Sequence, residues 1–216
     1  MDKEFYQAVP GTSYDDLLKS RNPFRRWFHV SRYRNIQNLV DTCPKPHGRI
    51  LDLGSASCCW NTKKLPVVGL DFNEALLKQG KQCGRLVDYR VADAAHTGFE
   101  DKSFDVVVGA EVLEHMKSPD LILREVHRVL KDDGRFVISV PDDGSWTAWK
   151  ALFSLVTFYY GYLLGDPYMK SQCGHIHHFS AKDLKKILVH NGFEIEKYFT
   201  FWTLTLYCVV RKSPNS

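Results

Sequence analysis

Three aspartates, Asp52, Asp71 and Asp93, each fall within or just after a short apolar run, where the edge of a sheet would present them. The first run, Ile50-Leu51-Asp52-Leu53, leads straight into Gly54-Ser55-Ala56-Ser57. Those residues are small enough for the chain to turn sharply and for backbone N–H groups to approach a ligand. The second run, Val67-Val68-Gly69-Leu70, stops at Asp71, an acid placed to accept both hydroxyls of a ribose. Strand, small-residue turn, strand and acidic tip form the opening half of a nucleotide-binding α/β unit. A phosphate loop wants glycines and a lysine, and carboxylates there repel phosphate. Acids around the turn suit instead a nucleoside that carries positive charge.

Two more groups of residues could do chemistry. Glu111-Val112-Leu113-Glu114-His115 follows the continuous apolar run Phe104 to Gly109. That run reads as a central parallel strand, and open α/β sheets bind ligands just past such strands. Further on, His175, His177 and His178 precede Phe179-Ser180. Structural zinc sites space their histidines by roughly three to five residues and add cysteine pairs. Only Cys173 is near, so no metal is expected.

Read as a motif, Asp52-x-Gly54-x-Ala56-x-Cys58 resembles the D-x-G-x-G-x-G turn of the class I methyltransferases, with Ala56 and Cys58 at the second and third glycine places. Neither takes φ > 0 as easily as glycine. The run Ser103-Phe104-Asp105-Val106-Val107, the Glu111 to His115 segment, and Leu123 to Phe136 resemble the small-molecule methyltransferases of the ubiquinone and menaquinone biosynthesis type, methyltransferase type 11. The resemblance covers roughly residues 48 to 141. It implies S-adenosyl-L-methionine as cofactor, whose sulfonium and amino group supply the positive charge. The cofactor-binding candidates are then Asp52, Gly54, Ser55 and Ala56 of the turn, Asp71 with Phe72, Asp93 with Ala94, and Glu111. In similar enzymes the acid at the place of Asp93 receives the adenine amine, and the residue at Glu111 lies beside the methionine end. An Asp at a strand end also caps turns, so a structural reading of Asp93 stands beside that one.

Similar enzymes carry an H-x-x-x-F-[ST] segment bordering the acceptor pocket. This makes His175 and His178, together with His115, the candidate catalytic bases, since histidine titrates near neutrality. For each, packing or loop anchoring is an equal alternative. The function implied is methyl transfer from S-adenosylmethionine to a small or lipid-like molecule. A degenerate, non-catalytic S-adenosylmethionine-binding module and an RNA methyltransferase are the alternatives. The place of an N-P-P-Y tetrad, used to methylate amino groups of bases, reads Glu111-Val112-Leu113-Glu114.

The elements that must position these residues follow from pattern. Residues 1–20 read as an extended arm; Asn22-Pro23 then opens a helix with Phe24, Trp27, Phe28, Ile36, Leu39 and Val40 on its apolar stripe. Arg21, Arg25, Arg26, Arg32 and Arg34 read either as its solvated face or as a contact for phosphate or anionic membrane. A short crossover helix is expected between Gly54 and Pro66, a helix capped by Asn73, and a third strand over 86–91. A helix from Ser118-Pro119 to 131–134, a strand over 135–140, a helix starting at a capping box on Ser180, and β runs at 193–199 and 202–210 complete the chain. The fold that the resemblance implies, and these elements suit, is α/β: a Rossmann-like seven-stranded, mostly parallel sheet with helices on both faces and a C-terminal antiparallel hairpin. Residues 1–47 form an arm and helix covering the core, and 48–216 the methyltransferase domain, with a hydrophobic lid-like insertion at 145–172.

Within that insertion Ala151 to Gly165 is uncharged but falls short of the roughly 20 apolar residues of a spanning helix. A lid over an apolar pocket is the first reading, and peripheral membrane contact the second. A length of 216 residues suits one domain. A net charge of +4 without a localised patch is too weak to point to nucleic acid. Six cysteines without a C-x-x-C pair, and no leader in the sequence, suit free thiols in a reducing, cytoplasmic setting.

Overall fold

A computed structural model describes residues 13–21, 23–144, 154–155, 158–163, 165, 176–202 and 204–214. The chain runs α1 (Ser13–Leu18), α2 (Pro23–Asp41), β1 (Ile50–Leu53), β2 (Val67–Asp71), α3 (Glu74–Gln82), β3 (Asp88–Val91) and β4 (Phe104–Ala110). It continues through α4 (Pro119–Val129), β5 (Leu130–Pro141), α5 (Ala181–His190), β6 (Phe193–Phe201) and β7 (Thr205–Lys212). One sheet holds all seven strands in the order β3-β2-β1-β4-β5-β7-β6. Neighbours from β3 to β5 pair in parallel, and β7 runs antiparallel to both β5 and β6.

Side chains alternate across a strand, so a central strand must be apolar on both faces. In β4, Val107 packs on one face with Leu123 and Val126 of α4 and Leu184 and Leu188 of α5. Val106 and Val108 pack on the other with Ile36, Leu39 and Val40 of α2 and Leu77 of α3. The topological reversal lies between β1 and β4, which places the carboxyl ends of these two strands at the crevice where open α/β sheets take ligands.

Several expected caps are present. Asn73 accepts the Leu76 N–H at the start of α3, and Ser180 and Asp183 form a reciprocal capping box on α5. Three expectations change. The presumed extended arm carries α1. The connection from β1 to β2 contains no helix, because Cys58 and Lys64 adopt φ of 50° and 55°, which no helix accommodates. The Asn61 amide organises that loop instead, donating to the Leu65 and Arg85 carbonyls at 2.9 and 2.7 Å and accepting the Leu65 N–H at 2.9 Å. Finally, α4 stops at Val129 and residues 131–134 already belong to β5. Most of the lid-like insertion lies outside the described residues. No described helix is long and apolar enough to cross a membrane. Cys43, Cys58, Cys59, Cys83 and Cys208 are free thiols.

Candidate active site

Past the ends of β1 and β4 lies a cavity of about 180 Å³. Its floor is the turn after β1, its far wall the segment after β4, and its roof comes from α1 and α2, which contribute Tyr14, Leu17 and Arg32. The turn takes its shape from three left-handed residues at alternate positions, Gly54 (φ 61°), Ala56 (φ 46°) and Cys58 (φ 50°). At Gly54 a Cβ would meet Val112 Cγ2 at 2.7 Å, so only glycine fits. Ala56 and Cys58 adopt the glycine conformation without being glycine, and the backbone course of the motif survives the substitutions.

Asp52 is buried and accepts a hydrogen bond from the Trp60 indole at 2.9 Å. Burial pushes its carboxyl up to about 7, against the opposing hydrogen bond from the Trp60 indole. Asp71 stands behind the turn. Its Oδ2 accepts the Ala56 N–H at 2.8 Å and its Oδ1 the Asn73 N–H at 2.9 Å, so it ties the turn to the start of α3. Burial raises its carboxyl while those backbone N–H groups pull it down. Asp93 accepts the Ala95 N–H at 2.9 Å and so caps the turn after β3. Asp71, Phe72, Asp93 and Ala94 do not line the cavity.

On the far wall, Glu111 is itself left-handed (φ 56°), a conformation that costs a non-glycine residue energy and clusters at functional sites. It accepts the Ser139 hydroxyl at 2.8 Å and pairs with Arg32 at 3.2 Å. Burial works most strongly against the Arg32 charge, but Glu111, together with Tyr33, Tyr207 and Glu114, outweighs it and holds the guanidinium ionised. Glu114 follows in a single 3₁₀ turn, Leu113–His115. Its side chain is 1% exposed, and neither carboxyl oxygen has a hydrogen-bond partner among the described residues. Burial first, then the neighbouring Glu111, pushes its carboxyl well above the usual range. The cavity thus carries both signs of charge within one wall and roof.

Residues 51–138 match the family described as "Methyltransferase domain". Over that stretch the chain is similar to the methyltransferase domains of this family. Over 139 residues it is 35% identical to a demethylmenaquinone methyltransferase of Renibacterium salmoninarum, covering 62% of this chain and 56% of that one. A demethylmenaquinone methyltransferase of Lactobacillus johnsonii is 31% identical over 141 residues, 59% of this chain and 57% of its own. The chain spans about half the length of the curated relatives it matches. Among solved structures, magnesium protoporphyrin IX methyltransferase from Synechocystis with bound SAH superposes with a TM-score of 0.68 at 15% identity, covering 98% of both chains. A protein from Pyrococcus horikoshii gives 0.66 at 20% identity, over 97% of this chain and 99% of that one. At such identities these two neighbours speak for the fold.

Around the cavity the histidines separate. His115 lines the cavity with its Nε2 3.8 Å from Glu114 Oε1. His178 does not line it: its ring is exposed and its Nδ1 lies 3.1 Å from Asp143 Oδ2. His175 lies outside the described residues. His177, which the sequence reading passed over, has a buried Nε2 with no hydrogen-bond partner among the described residues. Its N–H and that of Ile176 both donate to the Glu114 carbonyl, at 3.0 and 2.7 Å. Among the described residues no group of His, Cys, Asp and Glu is disposed to hold a metal. Sequence reasoning also missed Tyr14, Arg32 and Tyr207, all at the cavity, and singled out the Glu111 to His115 segment without naming Glu114 as a binding residue. The one signal for Arg32 was its place in an arginine cluster interleaved with aromatics.

Proposed function

We propose that this protein transfers a methyl group from S-adenosylmethionine to a small or lipid-like acceptor. The observation that carries the reading is the cavity beyond β1 and β4, where a left-handed turn faces Arg32 on one side and Glu111 and Glu114 on the other. Such a wall suits an amino-acid end that is itself zwitterionic, with a sulfonium adding a further positive charge, and the donor set therefore fits the cofactor. Arg32 offers a fork for a carboxylate, and Glu111 and Glu114 offer acceptors for cationic groups. Gly54, Ser55 and Ala56 leave the backbone close to the ligand, with Asp52 below them. Asp71 holds that turn in place through the Ala56 N–H and keeps acceptor capacity for a ribose hydroxyl, with Phe72 next to it in the chain; for the adenine side, beyond the cavity itself, our candidates are Asp93 and Ala94.

When bound, the cofactor supplies an electrophilic methyl group on sulfur. The chain's own task is to hold the acceptor in line with it and exclude water. Tyr14 and Leu17 of α1 and Arg32 of α2 roof the cavity and shield it. His115 is the histidine positioned to receive a proton from the acceptor. Residues 145–172 remain our candidate for a lid over the acceptor.

Calorimetry with S-adenosylmethionine and SAH tests the cofactor; transfer of a tritiated methyl group to demethylmenaquinol in detergent or to a lipid extract tests the acceptor class. Label in the organic phase supports the reading. Tight cofactor binding without transfer favours a degenerate binding module, and label only in added total RNA favours the RNA reading.

A peripheral membrane contact belongs to the same reading. Trp202 is 70% exposed and stacks edge-on against Trp27 at 5.4 Å, and Phe158, Tyr162 and Leu163 are also more than half exposed. Exposed aromatic side chains of this kind suit a bilayer interface.

A further inference from the structure

Glu114 poses a problem that the proposed reaction does not solve. A carboxylate taken out of water without a partner costs so much that the group holds its proton instead. Glu114 is buried, faces the cavity, and has no hydrogen bond to either oxygen among the described residues. Arg32, whose charge acts on Glu114, is already paired with Glu111. A cation entering the cavity changes the balance, since it supplies the missing counter-charge.

We propose that Glu114 is a charge-sensing ligand group: a neutral acid in the empty site, it ionises against the cationic sulfur of S-adenosylmethionine and releases a proton, and it takes the proton back when sulfur becomes the neutral thioether of SAH. The inference rests on the proposed cofactor and adds to it a basis for telling donor from product. Methyl transfer would then discharge the counter-ion's partner, leaving a site better matched to a new donor than to the spent one.

The titratable and charged groups around Glu114, or lining the same cavity, come from several elements. From its own segment come Glu111, whose negative charge opposes a second one, and His115 at 3.8 Å. From α2 come Arg32 and His29; from β1, Asp52; from the segment after β5, Asp143; from β7, Tyr207; and from the loop before α5, His177. Burial of Glu114 is the largest influence on its carboxyl and Glu111 the next, both upward, while the Arg32 charge only partly opposes them. Asp52 is the other buried acid lining the cavity, but it already accepts the Trp60 indole at 2.9 Å.

The test is calorimetric binding of S-adenosylmethionine and of SAH between pH 6 and 8, in phosphate and in Tris, whose different ionisation heats report proton release. Both ligands carry the same α-amino group, so its titration largely cancels. The association constant for S-adenosylmethionine should rise up to about tenfold per pH unit relative to that for SAH, with about one more proton released. Glu114→Gln should remove that difference in slope, and S-adenosylmethionine should lose its advantage at pH 8. Parallel slopes for the two ligands in the unaltered protein overturn the proposal without any variant, so a misfolded Glu114→Gln does not protect it. A slope difference retained in Glu114→Gln also overturns it and assigns the proton elsewhere, with Asp52→Asn the next variant to examine. Failure of both ligands to bind would instead refute the cofactor reading itself.

Discussion

Ala56 and Cys58 make opposite predictions although they share a backbone conformation. Both are left-handed, which costs an L-residue about 1–2 kcal/mol. Replacing either by glycine relieves that cost and adds about 0.5–1 kcal/mol of backbone entropy loss. Ala56 is only partly buried and contributes one methyl group, so Ala56→Gly should stabilise the protein by about 0.5 kcal/mol. Cys58 is 1% exposed within the core cluster of Trp60, Val67 and Leu77. Its removal empties a buried volume, at about 2 kcal/mol, and takes a hydrogen bond from Asp52, at about 1 kcal/mol, so Cys58→Gly should destabilise by about 2 kcal/mol net. Urea titration of both variants measures this, with equal slopes required for the midpoints to be compared. Ala56→Gly should also leave S-adenosylmethionine affinity undiminished, because the turn already has the shape glycine would give it. A lowered midpoint for Ala56→Gly, or a raised one for Cys58→Gly, would refute the conformational argument for this turn.

Other consequences follow from named contacts. Asp15 of α1 is bound by Arg85, by Gln79 at 2.8 Å, and by the Ser57 hydroxyl at 3.5 Å; Asp15→Ala should cost about 2 kcal/mol and accelerate trypsin cleavage after Lys19, while unchanged cleavage would mean α1 is held otherwise. The folded protein keeps the Asp52 proton up to about pH 7 whereas the unfolded chain gives it up near 3.8, so Asp52 makes stability fall as pH rises through that window, by at most about 4 kcal/mol; melts of Asp52→Asn should show a shallower fall. Glu125 has the opposite sign: burial pushes it up, but Arg128 and Thr97 outweigh burial and bring it to about 2, so its contribution is lost as pH falls from 4.5 towards 2, and Glu125→Gln should flatten the acid limb. Trp202→Ala should weaken co-sedimentation with phosphatidylglycerol vesicles by several-fold if the aromatic face meets a bilayer; equal sedimentation would remove that partner.

The central strands were readable because a parallel strand buried on both faces has few ways to be written: Ile50 to Leu53, Val67 to Leu70 and Phe104 to Gly109 are all near-continuous apolar runs, and each lies in the expected strand. The acids at their ends were readable for the same reason. What those acids touch was not. Asp71 binds the Ala56 N–H 15 residues away in sequence, a contact that exists only once β1 and β2 are side by side. The roof was hidden more deeply, since Tyr14 and Arg32 acquire a role only when α1 and α2 fold over a turn that lies beyond them in the chain. The histidines fall between these cases. Residues 176–180 form no helix, and neighbouring side chains there diverge: His177 turns its ring inward and His178 outward. The alternation of an extended segment was in the sequence, and choosing His178 over His177 ignored it.

Glycine at the second and third motif places is a means to a backbone angle, and the angle is what the ligand meets. At Gly54 the two cannot be separated, because a Cβ would strike Val112. At residues 56 and 58 they can: Ala56 lies at φ 46° with its N–H fixed on Asp71, and Cys58 at φ 50° with its N–H on the Ser55 carbonyl at 2.7 Å. Hydrogen bonds of this kind contribute about 1 kcal/mol each, comparable to the cost of the left-handed conformation they stabilise. A missing glycine is therefore weak evidence for a dead pocket wherever neighbouring side chains can hold the backbone in the same place. The discriminating substitution is Asp71→Asn, which keeps the size of the side chain but weakens its hold on the Ala56 N–H. If the turn depends on that hold, Asp71→Asn should lower cofactor affinity far more in the natural chain than in the Ala56→Gly background, where glycine adopts the angle unaided.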